Sequence, residues 1–248
     1  TGQHVCVPLE GVAVHINAFN FPVWGMLEKL APALLAGMPV IVKPATSTSY
    51  LTELLFHRMI ESGVLPRGAI QLVCGSTGDL FDNLGCQDVV AFTGSASTAT
   101  MLRTHPRVIS ESVRFTAETD SLNCSILGPD ATPDTPEFEL YIKEIVREMT
   151  SKAGQKCTAI RRAIVPEHLA ADVVTALQSA LARVRIGNPA SKEVDMGALA
   201  SLAQRDEVRE RVNELAAAAQ IVFGALEGFD VVDADSERGA FFAPVLLH

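Results

Sequence analysis

The sequence predicts an α/β protein whose first half forms a parallel sheet covered by helices. Short apolar runs alternate there with helix-like runs. Strands that are buried on both faces read as continuous apolar segments, and parallel neighbours need a crossover between them. The same alternation restarts after Ser121. We therefore expect a Rossmann-like domain over residues 1–120, packed closely on a second α/β domain over residues 121–248, because no flexible linker separates them.

Four apolar runs predict strands in the first domain, and two periodic segments predict helices between them. The strands are expected over residues 12–16, 39–43, 69–73 and 89–93, and the helices over residues 25–37 and 47–63. The second helix has apolar residues at helical spacing, which predicts a buried face of Leu51, Leu54, Leu55 and Met59. It ends at Gly63, since glycine commonly follows a helix C-terminus. A further strand-like run covers residues 113–116.

The second domain opens with an amphipathic helix predicted over residues 136–152. Thr135 is placed to cap it and Pro136 to occupy its first turn. Its expected apolar face consists of Phe138, Tyr141, Ile142, Ile145, Val146 and Met149. A strand is predicted next, followed by two helices, over residues 163–165, 168–184 and 202–219.

Composition and charge limit the classes of protein to which this chain can belong. Of the 248 residues, 48% are hydrophobic and 20% are charged, which is typical of a folded globular chain. The net charge of −9 argues against a nucleic-acid partner, and no apolar run approaches membrane-spanning length. No signal-peptide pattern is present, so we expect a cytoplasmic protein. The start at Thr1 and the end within the strand-like PVLLH predict an internal piece of a longer chain.

The five cysteines are odd in number and contain no C-x-x-C pair. This pattern favours a reducing compartment over a disulfide framework or a thiolate zinc site. His4, Cys6 and His15 match no known metal-ligand spacing, so no metal is predicted. Because unpaired cysteine usually behaves as a small apolar residue, we expect four of the five in the core: Cys6, Cys74, Cys86 and Cys124.

Five short segments occur together in the chain. They are INAFNFPVW (16–24), VKPATSTS (42–49), FTGSASTA (92–99), FTAETDSLN (115–123) and GQKCTA (154–159). In order and spacing they resemble the aldehyde dehydrogenase superfamily over essentially the whole chain. The stretches GMLEKLAP, DSLN and REMTSKAGQKCTAIRR are most similar to the branch that acts on CoA-linked semialdehydes in phenylacetate and benzoyl-CoA degradation. The resemblance implies a partial cofactor domain over residues 1–120 and a partial catalytic thiol domain over residues 121–248.

Cys157 is the candidate nucleophile. Aldehyde oxidation by hydride transfer needs a tetrahedral centre, and a thiolate supplies one and leaves a hydrolysable thioester. Gly154 and Gln155 can form an open loop that keeps the sulfur accessible. Taken alone, Cys157 is better explained as a core residue, and it is the GQKCTA motif that favours catalysis.

The resemblance assigns the oxyanion that follows to the Asn20 side-chain amide and the backbone N–H of Cys157. A fixed donor at such an oxygen lowers a barrier by about 3–4 kcal/mol. By residue type alone, Asn20 is better explained as a turn residue before Phe21 and Pro22. Asn17 lies three residues too early for the motif.

The resemblance makes Glu118 the base that activates water for thioester hydrolysis. We expect a buried carboxyl there, which suits a base that accepts a proton near neutral pH. An isolated Glu is usually a solvated surface charge, so the role depends mainly on the resemblance, and Asp120 is the obvious competitor. The segment reads E-T-D-S-L where much of the family reads E-L-G-G-K.

The cofactor prediction depends on the carboxyl ends of the strands. Gly94 and Ser95 follow a strand and open a helix, a favourable place for a pyrophosphate. The second glycine of the family pattern is Ala99 here, and Gly94 alone is compatible with a simple turn. The resemblance also implies that Lys43 contacts the adenosine ribose, with Ile16 and Pro44 beside the cofactor, although Lys43 also fits an ordinary strand-end lysine.

Thr46 bears on the choice between NADP and NAD. Relatives that prefer NAD often carry Glu at this position, where a carboxylate holds the ribose hydroxyls. Thr46 and the hydroxyl residues after it accommodate a 2′-phosphate better than a carboxylate does. The sequence therefore predicts NADP as the cofactor, with NAD second.

The predicted function is NADP-linked oxidation of an aldehyde, a CoA-linked semialdehyde of aromatic or benzoate degradation, to its acid. One alternative is a CoA-acylating dehydrogenase, which Glu118 argues against. The other is a catalytically silent structural or interaction protein with the same fold. The resemblance implies a homodimer or homotetramer for the full-length protein.

Overall fold

The computed structural model describes residues 2–248, and the chain divides into two compact units between Asp120 and Ser121. Each unit has its own sheet and its own apolar core.

A five-stranded sheet forms the centre of the first unit. Its strand order is β3-β2-β1-β4-β5 and every neighbouring pair is parallel. The strands are β1 (Ala13–Ile16), β2 (Val40–Lys43), β3 (Ile70–Leu72), β4 (Val89–Gly94) and β5 (Arg114–Thr119). This confirms the predicted Rossmann-like parallel sheet. The order reverses direction beside β1, and the crevice at the carboxyl ends of such strands is where α/β proteins bind ligands.

Helices connect the strands of this sheet. They are α1 (Trp24–Leu35), α2 (Ser49–Glu61), α3 (Ala96–Arg103) and α4 (Pro106–Ser110). The central strands are apolar on both faces because two core clusters lie against them. One contains Val14 and Val90 with α3 residues, and the other contains Val40 and Val42 with α1 and α2 residues.

The buried face of α2 differs from the prediction. Leu55 and Met59 pack on the core as expected, but Leu51 and Leu54 are exposed. Thr52 is fully buried instead, and its hydroxyl donates to the carbonyl of Pro22 at 3.0 Å. Because this helix is apolar on more than one face, periodicity alone did not identify the packed one.

The second unit contains two small sheets and three helices. Strands β6 (Cys124–Ile126) and β7 (Arg162–Ile164) are parallel, and β8 (Ile221–Phe223) pairs antiparallel with β9 (Leu246–Leu247). The helices are α5 (Pro136–Thr150), α6 (Ala170–Leu181) and α7 (Leu202–Ala216). The predicted cap is confirmed, since the Thr135 side chain accepts the N–H of Phe138. The predicted face of α5 packs in the unit's main core cluster.

Several element ends differ from the prediction. Helix α5 ends at Thr150, two residues early, because Lys152 and Ala153 adopt a positive φ of 53° that no helix accommodates. Helix α6 begins at Ala170, after a 3₁₀ turn over Glu167–Leu169, and it ends at Leu181.

The expectation that most cysteines lie in the core is wrong. Cys6, Cys74, Cys86 and Cys124 are all exposed, as is Cys157. The burial statistics of a residue type therefore do not separate Cys157 from the other cysteines here. Within residues 2–248, no helix is both long enough and apolar enough to cross a bilayer.

Candidate active site

The first unit brings eight of the nine predicted site residues to one edge of its sheet. Ile16, Lys43 and Gly94 are the last residues of β1, β2 and β4. The remaining five follow these strands closely or lie near the end of β5, and they are Asn20, Pro44, Thr46, Ser95 and Glu118. Parallel strands present their carboxyl ends at a common edge, which explains the grouping. The ninth, Cys157, belongs to the second unit.

The segment that carries Asn20 connects β1 to α1 and is anchored by two hydroxyls. Thr48 donates to the carbonyl of Phe19 at 3.1 Å, and Thr52 donates to the carbonyl of Pro22 at 3.0 Å. Asn20 itself is half-buried between these anchors. Two threonines at the start of α2 thus fix the backbone on both sides of the asparagine.

The predicted cofactor residues at the ends of β1 and β2 differ in the burial of their side chains. Ile16 and Pro44 are buried, so their side chains serve the core. Lys43 is partly buried, and this burial lowers the pKa of its amine, while the charge of nearby Cys74 acts in the opposite direction.

Two of the four hydroxyls in the T-S-T-S stretch already bond to the backbone. Thr48 donates to Phe19, and Ser49 donates to the carbonyl of Thr46 at 3.0 Å. Thr46 and Ser47 are exposed. Only this second pair is therefore available for a ligand beside Lys43.

The turn between β4 and α3 presents hydrogen-bond donors at a helix N-terminus. A Cβ on Gly94 would lie 2.6 Å from the ring of Phe92, itself buried in the core, so a larger residue is excluded. Ser95 caps the helix and accepts the N–H of Thr98 at 3.3 Å. The N–H of Ala96 donates to Asp120 Oδ2 at 3.1 Å.

The structure separates the two candidate carboxylates of the β5 end. Asp120 is bound to the N-terminus of α3, whereas Glu118 lies on β5 in register with Thr93. Glu118 is exposed, so the expectation of a buried carboxyl there is wrong. Residues of β5 alternate between exposed and partly buried, and Glu118 lies on the exposed face together with Arg114 and Thr116.

Asn17 lies three residues too early for the motif, yet in the structure it is a buried polar residue at the proposed binding edge. It follows β1 at the carboxyl edge of the sheet and is 3% exposed. Neither polar atom of its side chain has a hydrogen-bond partner among the described residues, and the same holds for Thr93 Oγ1. Extending the β1–β4 register by one residue brings Asn17 level with Thr93. A polar residue directly after an apolar strand was the available signal.

The Cys157 loop begins where α5 ends. Lys152, Ala153 and Gly154 adopt positive φ values of 53°, 53° and 71°. A Cβ on Gly154 would lie 3.3 Å from the carbonyl oxygen of Met149. These three residues reverse the chain direction and are followed by the exposed Cys157. The accessible loop predicted from Gly154 and Gln155 is therefore present.

Two long side chains support this loop. Gln155 donates to the carbonyl of Lys152 at 2.9 Å and accepts the N–H of Ala200 at 2.9 Å. The Arg161 guanidinium donates to the carbonyls of Gly154 at 2.9 Å and Lys156 at 3.3 Å. The loop is thus cross-linked to distant segments of its own unit.

Cationic groups lie next to the cysteine. The amine of Lys156 is 2.8 Å from Oε1 of the buried Glu148, and Glu148 Oε2 has no partner among the described residues. Burial lowers the pKa of Lys152, and the charge of Lys156 lowers it further, while Cys157 acts in the opposite direction. Lys152 is thus close enough to Cys157 for their charges to interact.

In residues 2–248, no group of three or more His, Cys, Asp and Glu side chains is placed to hold a metal ion. The candidate residues thus form two groups, the Cys157 loop (the thiol loop) in the second unit and the polar strand edge in the first unit.

A comparison with family models decides the identity of this arrangement. The model described as "Aldehyde dehydrogenase family" matches residues 3–248. The chain belongs to the aldehyde dehydrogenase family. This confirms the resemblance carried by the five sequence segments.

Among curated proteins, the chain is 52% identical to the 3,4-dehydroadipyl-CoA semialdehyde dehydrogenase of Aromatoleum evansii, over 100% of this chain and 48% of that protein. It is 29% identical to the lactaldehyde dehydrogenase of Escherichia coli, over 96% of this chain and 47% of that protein. The chain thus spans about half the length of these two relatives.

Solved aldehyde dehydrogenases share its fold. Betaine aldehyde dehydrogenase from Staphylococcus aureus in complex with NAD⁺ matches with a TM-score of 0.83 and 25% identity, over 97% of this chain and 46% of that one. A variant of aldehyde dehydrogenase C from Pseudomonas syringae, in complex with NAD⁺ and octanal, matches with a TM-score of 0.82 and 25% identity, over 97% of this chain and 48% of that one.

Proposed function

We propose that the protein containing this chain oxidises an aldehyde to a carboxylic acid through a thioester on Cys157. The observation that carries the proposal is the exposed cysteine on a cross-linked loop beside Lys152 and Lys156, in a chain of the aldehyde dehydrogenase family. Cys6, Cys74, Cys86 and Cys124 are exposed too, but none follows a comparable loop.

The residues of the chain fit the proposed steps. The Cys157 thiolate attacks the aldehyde carbon and forms a tetrahedral thiohemiacetal. The Asn20 amide and the backbone N–H of Cys157 donate to the oxyanion. Loss of hydride from that carbon then leaves a thioester. Glu118 accepts a proton from the water that hydrolyses the thioester, and the acid is released with the thiol restored.

A nicotinamide dinucleotide would accept the hydride. The strand edge of the first unit fits such a group, because Asn17 presents a buried amide without a partner among the described residues. The N-terminus of α3 also follows β4 at this edge, although its Ala96 N–H now donates to Asp120. Lys43 and Thr46 would hold the adenosine ribose, and Ile16, Pro44 and Gly94 would shape the floor beneath it.

We infer that the cofactor is NADP, with NAD second. The solved neighbours cited above are complexes with NAD⁺, and they support a nicotinamide cofactor without deciding this point. The exposed hydroxyls of Thr46 and Ser47 beside the Lys43 amine favour a 2′-phosphate. The ratio of kcat/KM for NADP and NAD tests this, and Thr46→Glu should move the ratio toward NAD about ten-fold or more. A wild-type preference for NAD would contradict it.

We infer that the substrate is a CoA-linked semialdehyde formed in aromatic or benzoate degradation, in the cytoplasm, by a dimeric or tetrameric enzyme. The support is the 52% identity to a protein named for such a substrate. A panel of free and CoA-linked aldehydes tests this, with the rate of cofactor reduction as readout. Equal kcat/KM for both classes would contradict it.

The nucleophile is tested in the full-length protein with Cys157→Ser. Turnover should fall at least about 10⁴-fold while cofactor binding persists. Cys86→Ser, which changes another exposed cysteine, is the matched control and should keep wild-type turnover. Full activity in Cys157→Ser would refute the proposal. An inactive wild type whose Cys157 is not protected from alkylation by aldehyde would favour a silent structural protein.

Glu118→Gln tests the second half of the reaction. A single burst of reduced cofactor should remain, because acylation needs no base for water, while steady turnover falls about 10²- to 10⁴-fold. Formation of acyl-CoA with consumption of free CoA by the wild type would instead indicate a CoA-acylating dehydrogenase.

A further inference from the structure

The carbonyl of Cys157 accepts two hydrogen bonds from one distant segment. Ser121 Oγ donates to it at 2.5 Å and Asn123 Nδ2 donates to it at 2.5 Å. These residues lie 36 and 34 positions earlier in the chain. No element of regular secondary structure requires either contact.

Asn123 also binds the segment from Ala159 to Arg162, through both its side chain and its backbone carbonyl. Its amide donates to the carbonyl of Ala159 at 3.2 Å. Its backbone carbonyl accepts the N–H groups of Arg161 at 2.9 Å and Arg162 at 3.1 Å. One residue therefore fixes four points of the chain between Cys157 and Arg162.

Fixing this carbonyl helps to fix the direction of the Cα–Cβ bond that carries the thiol. The Cys157 carbonyl belongs to the peptide plane that leaves the cysteine, and with planar peptide bonds only φ and ψ orient that Cα–Cβ bond relative to the chain. With the carbonyl held from one side, ψ of Cys157 is set. Arg161 holds the carbonyls of Gly154 and Lys156 before the cysteine, so the backbone is restrained on both sides of it.

The sequence departs from the family pattern at this point. Ser121 stands where the E-L-G-G-K pattern has its second glycine, and glycine offers no hydroxyl. The hydrogen bond from Ser121 Oγ is thus one that the E-L-G-G-K pattern cannot make, and its acceptor belongs to the residue that the proposed function places at the reaction centre.

We propose that Ser121 and Asn123 are positioning residues that orient Cys157 for attack. The proposal rests on the proposed function, since it assumes that Cys157 is the nucleophile. Loss of either donor frees ψ of Cys157, so the thiol spends less time directed at the carbonyl carbon, while binding of the aldehyde is little changed.

The test uses the full-length enzyme with Ser121→Ala and Asn123→Asp. Each should lower kcat about ten-fold, the value of one lost hydrogen bond, with less than about three-fold change in KM for the aldehyde. The rate of Cys157 alkylation by iodoacetamide is measured by mass spectrometry across pH. The limiting rate, where it no longer depends on pH, should differ between each variant and the wild type. Ser121→Thr keeps a hydroxyl and should restore most of kcat.

Asn83→Asp is the matched control. Asn83 Nδ2 donates to the carbonyl of Asp79 at 2.9 Å in the first unit, so the same change of side chain is made on a similar contact. It should leave kcat and the alkylation profile at wild-type values. If Asn123→Asp fails to fold, Ser121→Ala alone decides, because it removes only one surface-proximal hydroxyl.

The outcomes separate this inference from the proposed function. Wild-type kcat and alkylation in a folded Ser121→Ala, beside an inactive Cys157→Ser, would overturn the positioning role alone. A drop in thermal stability with unchanged kcat would also overturn it, since that is the signature of a structural contact. Full activity in Cys157→Ser would remove the proposed function itself.

Discussion

The Cys157 loop and the strand edge of the first unit differ in whether their polar groups have hydrogen-bond partners. Around Cys157, the carbonyls of Lys152, Gly154, Lys156, Cys157 and Ala159 accept side-chain hydrogen bonds from other parts of the same unit. At the strand edge, buried atoms of His15, Asn17 and Thr93 have no partner among residues 2–248. The donor of α3 that faces this edge is bound to Asp120.

This difference agrees with the function proposed for each region, which is nucleophilic attack for the loop and cofactor binding for the strand edge. A nucleophile acts best from a geometry fixed before the substrate arrives, because no reorganisation is then required in the transition state. A binding edge gains affinity when the ligand satisfies groups that are unsatisfied without it. The backbone carbonyls of the thiol loop are bound within their own unit, whereas buried side-chain atoms at the strand edge are left for a ligand to bind in this proposal.

Among the strand-edge residues, His15 is expected to have the largest effect on folding stability, through its protonation. Burial lowers its pKa to about 4 from 6.5, and the charge of Lys29 acts in the same direction. The unfolded chain therefore binds a proton at higher pH than the folded one. Folding stability should be full above pH 6.5 and fall by about 3 kcal/mol as the pH drops toward 4.

The measurement is the thermal midpoint between pH 7.5 and 4 for wild type and His15→Leu. The variant should lose much of the decline in this window. His57→Gln, a change at an exposed histidine of the same unit, is the control and should keep the wild-type decline. An unchanged decline in His15→Leu would show that other groups cause it.

Gly154→Val tests whether the thiol loop is preorganised. The φ of 71° is unfavourable for a β-branched residue, and the new Cβ would lie 3.3 Å from the Met149 carbonyl oxygen. Such strain costs about 1–3 kcal/mol, and it should lower kcat and Cys157 alkylation about 10- to 100-fold.

Gly63→Val is the matched control for this loop. Its φ is 66°, and no atom lies within 4 Å of the added Cβ. It should destabilise the protein to a similar degree and leave Cys157 alkylation unchanged. Equal loss of alkylation in both variants would mean that general destabilisation, and not the loop, is the cause.

The sequence predicted the sheet well because its signal is local. Continuous apolar runs such as Val89–Gly94 favour strands buried between helices, and the predicted bounds of β1 to β4 differ from the observed ones by at most one residue at each end. The run predicted over residues 113–116 ends three residues before β5 does. The buried face of α2 was not predictable in this way. Leu51 was predicted to be buried and is exposed. Thr52 is buried in its place because its hydroxyl donates to the carbonyl of Pro22, thirty residues earlier.

The site was predictable in its motifs and not in its contacts. Cys157 was identified by the residues beside it, and its loop is as expected. The bonds from Ser121 and Asn123 join segments more than thirty residues apart, and no local pattern records them. Glu118 is exposed because it lies on the open face of β5, and the local sequence does not show which elements cover that face.

Asn17→Leu tests whether the strand edge is incomplete without a ligand. Replacing a buried amide that lacks partners by an apolar side chain of similar size should raise stability by about 1–2 kcal/mol. The thermal midpoint should rise by about 2–6 °C for a chain of this size. Affinity for the dinucleotide should fall at the same time. A lower midpoint would show that the amide is satisfied in the folded protein.

Asp120→Asn has the smallest expected effect and bears most directly on the cofactor. The carboxylate now accepts the Ala96 N–H at the N-terminus of α3, where the proposal places a pyrophosphate. An anion already at this position opposes a second one and occupies its donor, while it also stabilises the helix dipole by about 0.3–1 kcal/mol. The neutral amide should therefore tighten NADP binding a few-fold and lower the thermal midpoint slightly.

Fluorescence titration with the reduced cofactor measures this change, and Asp79→Asn supplies the control, because it removes the same charge from an exposed residue of the same unit. If the control tightens binding equally, net charge is responsible and not the contact with α3. If Asp120→Asn weakens binding, the carboxylate orders the turn for the cofactor, and the strand edge is then partly prepared in advance, as the thiol loop is. The sign of this one change thus decides how far the two regions really differ.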